Sequence, residues 1–462
     1  MPVRMLATTG QLICRMAWMA LVVAVLPAAA RTDVEAQRML ARGENPYPVH
    51  LVRPVAAPLS AMARLGARMF FDASLSASGR LSCASCHSPA NHYGPPTAAP
   101  VMLGGRRLDQ QGVRAVPSLM YLERHPGFSV GPDKDEDENN SLLQMVAQSQ
   151  GIARVAKTAR NTAESAASLV PQGGLFWDGR ADTLQDQALG PLLNPLEMAN
   201  TNVAELAGKL RRGYARQLVR LFGQSILDQP VQLVAEAMFA LARYQIEAPS
   251  FHPYTSRYDY WLEGKARLTS SELRGYLLFN DPDKANCGGC HLSRPSPDGM
   301  PPLFTDFQFE ALGAPRNLAL QANRDAGSFD LGVCGPYRHD MHDQPQFCGM
   351  FLTPTLRNVA TRRVFFHNGV FHTLQQVQDF YAFRDVRPDK VYPPGQGGIA
   401  AKYDDIPERY RGNIDVVDPP FDRHLGDQPA MTAQDETDII AFLRTLTDDT
   451  GRNSPTIGQP TD

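Results

Sequence analysis

Two short stretches of this chain carry residue types at a spacing that suits one covalent chemistry. Leu81-Ser82-Cys83-Ala84-Ser85-Cys86-His87 and Ala285-Asn286-Cys287-Gly288-Gly289-Cys290-His291 each set two thiols separated by two residues, with an imidazole directly after. Such a pair of thiols can add across the two vinyl groups of a haem, leaving the histidine beside the ring as an iron ligand. Cys83, Cys86 and His87 form one candidate attachment site, and Cys287, Cys290 and His291 a second. A redox dithiol or half of a zinc site competes for either copy. Two copies in one exported chain favour two covalently bound haem c groups, one for each histidine's iron.

Export is read from the N-terminus. Arg4 and Arg15 precede an apolar run, Met16 to Val25, which closes on Leu-Pro-Ala-Ala-Ala ending at Ala30. This is the pattern of a signal peptide cleaved near Ala30, and it predicts a periplasmic protein with no membrane span after processing. The competing reading is an N-terminal anchor. Cys14 would leave with the signal, so of seven cysteines four hold haem and Cys334 and Cys348 remain. In an oxidising compartment these two, in a Gly/Pro-rich loop, read as a disulfide; two buried free thiols are the alternative.

The elements that must position these groups come next. With 462 residues, 43% of them hydrophobic, the chain can bury more than one core, which suits about two or three domains. A net charge of −3 gives no electrostatic basis for a nucleic-acid partner. The acidic run Asp133 to Glu138 resembles a calcium loop in its alternating acids, but Glu138 stands where glycine is required. It reads as a solvated loop, with a docking patch for a basic partner as the lesser alternative.

Leu65 to Asp72 leads into the first Cys-Cys-His motif and Leu273 to Asp281 into the second, both as amphipathic helices. The latter starts at a plausible cap, Thr269-Ser270-Ser271-Glu272. Thr432 to Thr447 carries Ile439, Ile440, Leu443 and Leu446 at helical spacing behind a Thr-x-x-Asp start, which suits a final helix packed on the second unit. Strand signals are sparse. The expected fold is mainly α: two tandem cytochrome-c-like haem domains with long loops. The divisions are a signal peptide over 1–30, a first domain over 31–265, a second over 266–450 and a polar tail over 451–462.

Between the motifs lie Gly173 to Arg180, then Gln187, Pro191 and Asn194-Pro195-Leu196-Glu197-Met198. A haem with one histidine ligand can take peroxide only if its other face is open and offers polar groups to move a proton. Glu197 and Gln187 are candidates for those groups, and Pro191 cannot ligate iron. Taken alone, the segment is better explained as a loop with a helix cap.

With these motifs, Phe176-Trp177-Asp178-Gly179-Arg180, Thr353 to Ala360 and Phe366-His367-Asn368-Gly369, the chain resembles the bacterial di-haem cytochrome c peroxidase superfamily from about Leu65 to Leu446. The resemblance implies a peroxide-reactive N-terminal haem and an electron-transfer haem at the C-terminal site. It also implies Trp177 between the haems and Gln187, Pro191 and Glu197 in the peroxide pocket. Conventional members carry a methionine as the second haem's distal ligand. Here the matching position is Tyr381, as in the MauG branch, which uses peroxide to oxidise residues of a partner protein. A phenolate oxygen favours ferric and higher iron states, whereas a thioether raises the potential. Met350, Met341 and Met300 are the competing ligands.

Other departures limit the carry-over. Ala285 stands where MauG has an electron-passing tryptophan, and Ala115 precedes Val116-Pro117-Ser118 where the family's calcium site has asparagine. Calcium is therefore not expected, although Asn161 is a possible substitute ligand. His339, His342, His367 and His372 read as structural or surface groups, and His92 as a residue able to close the peroxide site.

The expected function is reduction of hydrogen peroxide with electrons from a small cytochrome or cupredoxin. An oxidisable protein substrate is the alternative, and a non-catalytic di-haem electron carrier the rival from another class.

Overall fold

The computed structural model describes residues 28–132 and 169–449. The expected signal segment up to residue 27, the acidic run, Asn161 and the tail from residue 450 lie outside the described residues.

The described helices in chain order are α1 (Ala28–Ala41), α2 (Ala61–Phe70), α3 (Cys83–Cys86), α4 (Leu184–Leu193), α5 (Val203–Phe222), α6 (Pro230–Glu247), α7 (Arg257–Leu262), α8 (Ser270–Phe279), α9 (Cys287–Cys290), α10 (Leu374–Phe383) and α11 (Ala433–Arg444). Three antiparallel two-stranded ladders are short: β1 (Leu103–Gly104) with β2 (Gln110–Gln111), β3 (Ser129–Pro132) with β4 (Leu169–Gln172), and β5 (Phe309–Glu310) with β6 (Phe351–Leu352). The mainly helical expectation therefore holds.

Local chemistry sets the helix starts. Ser60 caps α2, while Thr269 with Glu272 and Thr432 with Asp435 form capping boxes at α8 and α11, satisfying N–H groups that the first turn leaves free. The two caps expected at Thr269 and Thr432 are thus formed.

Two helix crossings repeat one device. At Gly66 of α2 an added Cβ would lie 1.9 Å from the Ala240 carbonyl of α6; at Gly275 of α8 it would lie 1.9 Å from the Asp438 carbonyl of α11. Only glycine allows backbones this close, so each motif-bearing segment leaves a helix pinned at a fixed crossing point.

Two large apolar clusters surround these crossings. The first gathers Phe70, Tyr93, Leu206, Leu241, Tyr244 and Phe251; the second gathers Trp261, Tyr276, Phe279, Phe304, Phe380 and Phe442. The chain passes from one to the other between Tyr254 and Tyr258. Leu51 lies in the second cluster, and Gly43 accepts hydrogen bonds from Trp261 Nε1 (3.0 Å) and Leu268 N (2.9 Å). The segment after α1 consequently packs on the later cluster.

Buried charge ties the clusters together. Arg357, fully buried, pairs with Asp259 and Asp448 and lies over the Tyr121 ring at 4.8 Å. Tyr121 donates to Asp448 in turn. Leaving any one of these unpaired would cost several kcal/mol, so the network fixes how the halves meet.

Candidate active site

Each Cys-Cys-His motif folds as one helical turn, because residues three apart share a face. The histidine follows as its cap: His87 N donates to Cys83 O and His291 N to Cys287 O, both at 2.8 Å. Backbone angles agree closely, φ −109° and ψ 77° at His87 against −103° and 76° at His291. Beside each ring Nδ1 lies a backbone carbonyl, Tyr93 O at 3.2 Å and Phe304 O at 2.9 Å. That contact commits Nδ1 and leaves Nε2 as the metal-binding atom. Burial pushes both imidazoles down to about 4, so they are neutral at pH 7.

One cavity holds Cys83, Cys86 and His87 together with Gln187, Pro191 and Glu197. Gln187 and Pro191 stand one turn apart on α4, on one face. Glu197 arrives by the turn after the helix, where Asn194 Nδ2 donates to its Oε1 at 2.6 Å and Glu197 N donates back to Asn194 O at 3.0 Å. Burial raises the Glu197 carboxyl, against the pull of Arg180 and Asn194.

A second cavity holds Cys287, Cys290, His291 and Tyr381, with Ala285 in its wall. Tyr381 sits in α10 and stacks on Phe421 at 5.4 Å. No methionine among the described residues lines this cavity. Met350 and Met341 belong to a small cluster around Phe309, and Met300 packs on the first large cluster. Phe176, Trp177 and Gln187 line both cavities, so Trp177 stands in the shared wall. Its Nε1 donates to Ala115 O at 2.8 Å, while Ala115 N donates to His367 O at 2.7 Å.

The halves share a further module that the sequence reading did not identify. Leu175 to Leu193 and Phe365 to Phe383 follow one plan at a constant offset. Each opens with a narrow bridge, Leu175 to Ala181 and Phe365 to Phe371. Each then has a positive-φ aromatic (Phe176, 70°; Phe366, 65°) and a positive-φ glycine (Gly179, 65°; Gly369, 64°). A threonine cap follows, Thr183 or Thr373, before α4 or α10. In this register Trp177 matches His367, Asp178 matches Asn368 and Pro191 matches Tyr381. The repeated Thr-Leu-Gln at 183–185 and 373–375 was the signal available in the sequence.

For the remaining histidines and cysteines, one expectation fails and the others hold. His92 does not line the first cavity; its left-handed backbone (φ 50°) turns it to the second, where Nε2 lies 3.3 Å from Asp448 O. His367 is buried and stacked on Phe351 at 3.6 Å, while His339, His342 and His372 are exposed. Cys334 and Cys348 are joined as a disulfide. Arg114, Arg180 and Tyr337 also line the first cavity, none of them chosen from sequence.

Comparison with known proteins places this arrangement in a class. The family profile described as di-haem cytochrome c peroxidase matches residues 60–267. The methylamine utilization protein MauG of Paracoccus denitrificans is 32% identical over 396 residues, covering 84% of this chain and 89% of that one. The chain therefore belongs to the di-haem cytochrome c peroxidase and MauG family of oxidoreductases. Cytochrome c551 peroxidase of Nitrosomonas europaea is 28% identical over 73% of this chain and 77% of its own length. Among solved structures, the diheme peroxidase BthA of Burkholderia thailandensis superposes with a TM-score of 0.71 at 37% identity, covering 87% of this chain and 89% of that one.

The residues present fit two haem groups. All four motif thiols are free. Burial pushes Cys83 and Cys287 up to about 12 and Cys86 to about 11, the opposite of a redox dithiol, whose attacking thiol is lowered. No cluster of three or more His, Cys, Asp or Glu among the described residues could complete a zinc site. No described helix is long and apolar enough to cross a membrane.

Proposed function

We propose that this chain is an exported, periplasmic enzyme with two covalently attached haem c groups, held by two tandem units, one around each large apolar cluster. It reduces hydrogen peroxide at the first, with electrons passed through the second from a protein donor such as a small cytochrome or cupredoxin. One observation carries the reading: in two copies of one turn-and-helix module, the residue facing the motif is Pro191 in the first cavity and Tyr381 in the second.

Haem bound at these sites would supply the redox chemistry for cleaving the O–O bond and for carrying the electrons. Each residue then has a definite task. His87 and His291 would hold the iron through Nε2, and Tyr381 would complete the second centre. Pro191, which has neither a ligating atom nor an N–H, keeps the first centre open. Glu197, raised by burial, accepts a proton from the near oxygen of peroxide and returns it to the leaving oxygen as water. Gln187 orients the bound peroxide by hydrogen bonding. Two protons and two electrons per peroxide give two waters. Trp177, fixed by its bond to Ala115, lies on the path between the centres.

A second reading, oxidation of side chains on a partner protein, is supported by Tyr381, by a second cavity without methionine and by the likeness to MauG. Ala285 counts against use of the same electron route.

The test is peroxide consumption by the haem-loaded protein. Glu197→Gln should lower it about 10²-fold or more with both haems retained. Undiminished turnover would remove Glu197 from the mechanism, and no turnover in the unaltered protein would favour an electron carrier.

A further inference from the structure

Arg362 is the exception among the buried arginines. Arg114, Arg316, Arg338, Arg357 and Arg384 each have an aspartate oxygen within 3.3 Å. Arg362 lines the second cavity and pairs with no carboxylate among the described residues. Its partners are two neutral backbone carbonyls, one from each half of the chain: Nη2 donates to Val116 O at 3.0 Å and Nε to Val364 O at 3.3 Å. Nη1 donates to no described residue, although it passes close to Gly94, where an added Cβ would lie 3.7 Å from it. The two carbonyls hold the guanidinium in place without cancelling its charge. A buried cation without a counter-charge is costly by several kcal/mol, and burial pulls this one down to about 10 with no carboxylate opposing it. Asp330 and Asp405, in the wall of the same cavity, are committed to Arg114 and Arg316. The missing anion therefore has to come with whatever fills the cavity. A haem joined to the chain through its vinyl groups keeps two propionate carboxylates, and a guanidinium fork takes a carboxylate in paired, charge-assisted hydrogen bonds.

We propose that Arg362 binds a propionate carboxylate of the haem held at the second site. The proposal rests on the reading that this cavity holds a covalent haem. Arg362 stands in the wall of the second cavity and not of the first, which assigns the carboxylate to the second haem. Its anchor Val116 nevertheless lines the first cavity, so the paired charge lies at the partition between the two sites. Pairing satisfies the cation, and it offsets a negative charge that would otherwise favour ferric iron at the second centre.

The experiment is infrared difference spectroscopy through a redox titration of the holoprotein, with the propionate carboxyl carbons isotopically labelled. Cyanide added to a parallel sample marks the bands of the open first haem. In Arg362→Gln, a labelled carboxylate band of the second haem should shift. The ferrous-to-ferric ratio of that haem at a fixed potential should drop about tenfold, the order expected for one unit charge acting through protein. Arg362→Lys, which keeps the charge without the planar fork, should hold the ratio within about threefold while the band still shifts. An altered ratio with every labelled band unmoved overturns the proposal, as does a shift confined to the first haem. Should Arg362→Gln not fold, Arg362→Lys decides alone, and an unmoved band in it overturns the proposal. Failure of the underlying reading shows separately, as a pyridine haemochrome count below two haems per chain.

Discussion

Residues 175–193 and 365–383 have the same backbone plan and different chemistry. Both make a narrow bridge, turn through a positive-φ aromatic and a positive-φ glycine, and start a helix from a threonine cap. Fourteen of the nineteen paired side chains differ, among them Trp177 for His367, Asp178 for Asn368, Gln187 for Val377 and Pro191 for Tyr381. In the first copy the helix presents an amide and a residue without a ligating atom; in the second it presents an apolar side chain and a phenol. The shared scaffold fixes where the face of the helix lies, and the pairs Gln187/Val377 and Pro191/Tyr381 set what that face offers. On the proposed function, the first face would leave its centre open and the second would close it.

The comparison can be broken at its charges first. Asp178 is fully buried between Arg114 and Arg180, whereas Asn368 donates to Asp405 Oδ2 at 2.9 Å. Asp178→Asn leaves buried cations short of a carboxylate and should cost about 3–5 kcal/mol of stability. Asn368→Asp sets a second carboxylate against Asp405 and removes a donor, a loss of about 1–3 kcal/mol. Thermal unfolding of both variants checks the order, and equal losses would mean that the two turns are electrostatically alike.

The helix crossings sharpen the comparison with smaller effects. An added methyl at Gly66 or Gly275 meets a carbonyl oxygen at 1.9 Å. Overpacking of this kind costs about 1–3 kcal/mol, so Gly66→Ala and Gly275→Ala should each destabilise by at least that range. Denaturant titrations in which either substitution is neutral would show that the crossings are not equivalent.

Much of this arrangement was legible in the sequence, for identifiable reasons. Cys83 to His87 and Cys287 to His291 need only local spacing to be recognised, and the caps at Thr269 and Thr432 follow from side chains within one turn of their helices. The pocket around Gln187, Pro191 and Glu197 was reached through family resemblance, since nothing local marks Glu197 as buried beside Arg180. Tyr337 was out of reach altogether. It lies 140 positions from Glu197 in sequence and arrives there only because a disulfide-closed loop folds back across the interface between the two apolar clusters. His92 misled for the converse reason: closeness in sequence to the first motif said nothing about the left-handed turn that sends its ring to the second cavity.

The central claim is that the two centres differ because Pro191 and Tyr381 occupy equivalent places. Near-infrared magnetic circular dichroism of the fully loaded ferric protein tests it most directly, by looking for the sulfur-to-iron charge-transfer band of methionine-ligated haem. The account predicts no such band in the unaltered protein and its appearance in Tyr381→Met, with a higher reduction potential at the second centre. A sulfur band in the unaltered protein would contradict it, since Tyr381 would then not be the ligand.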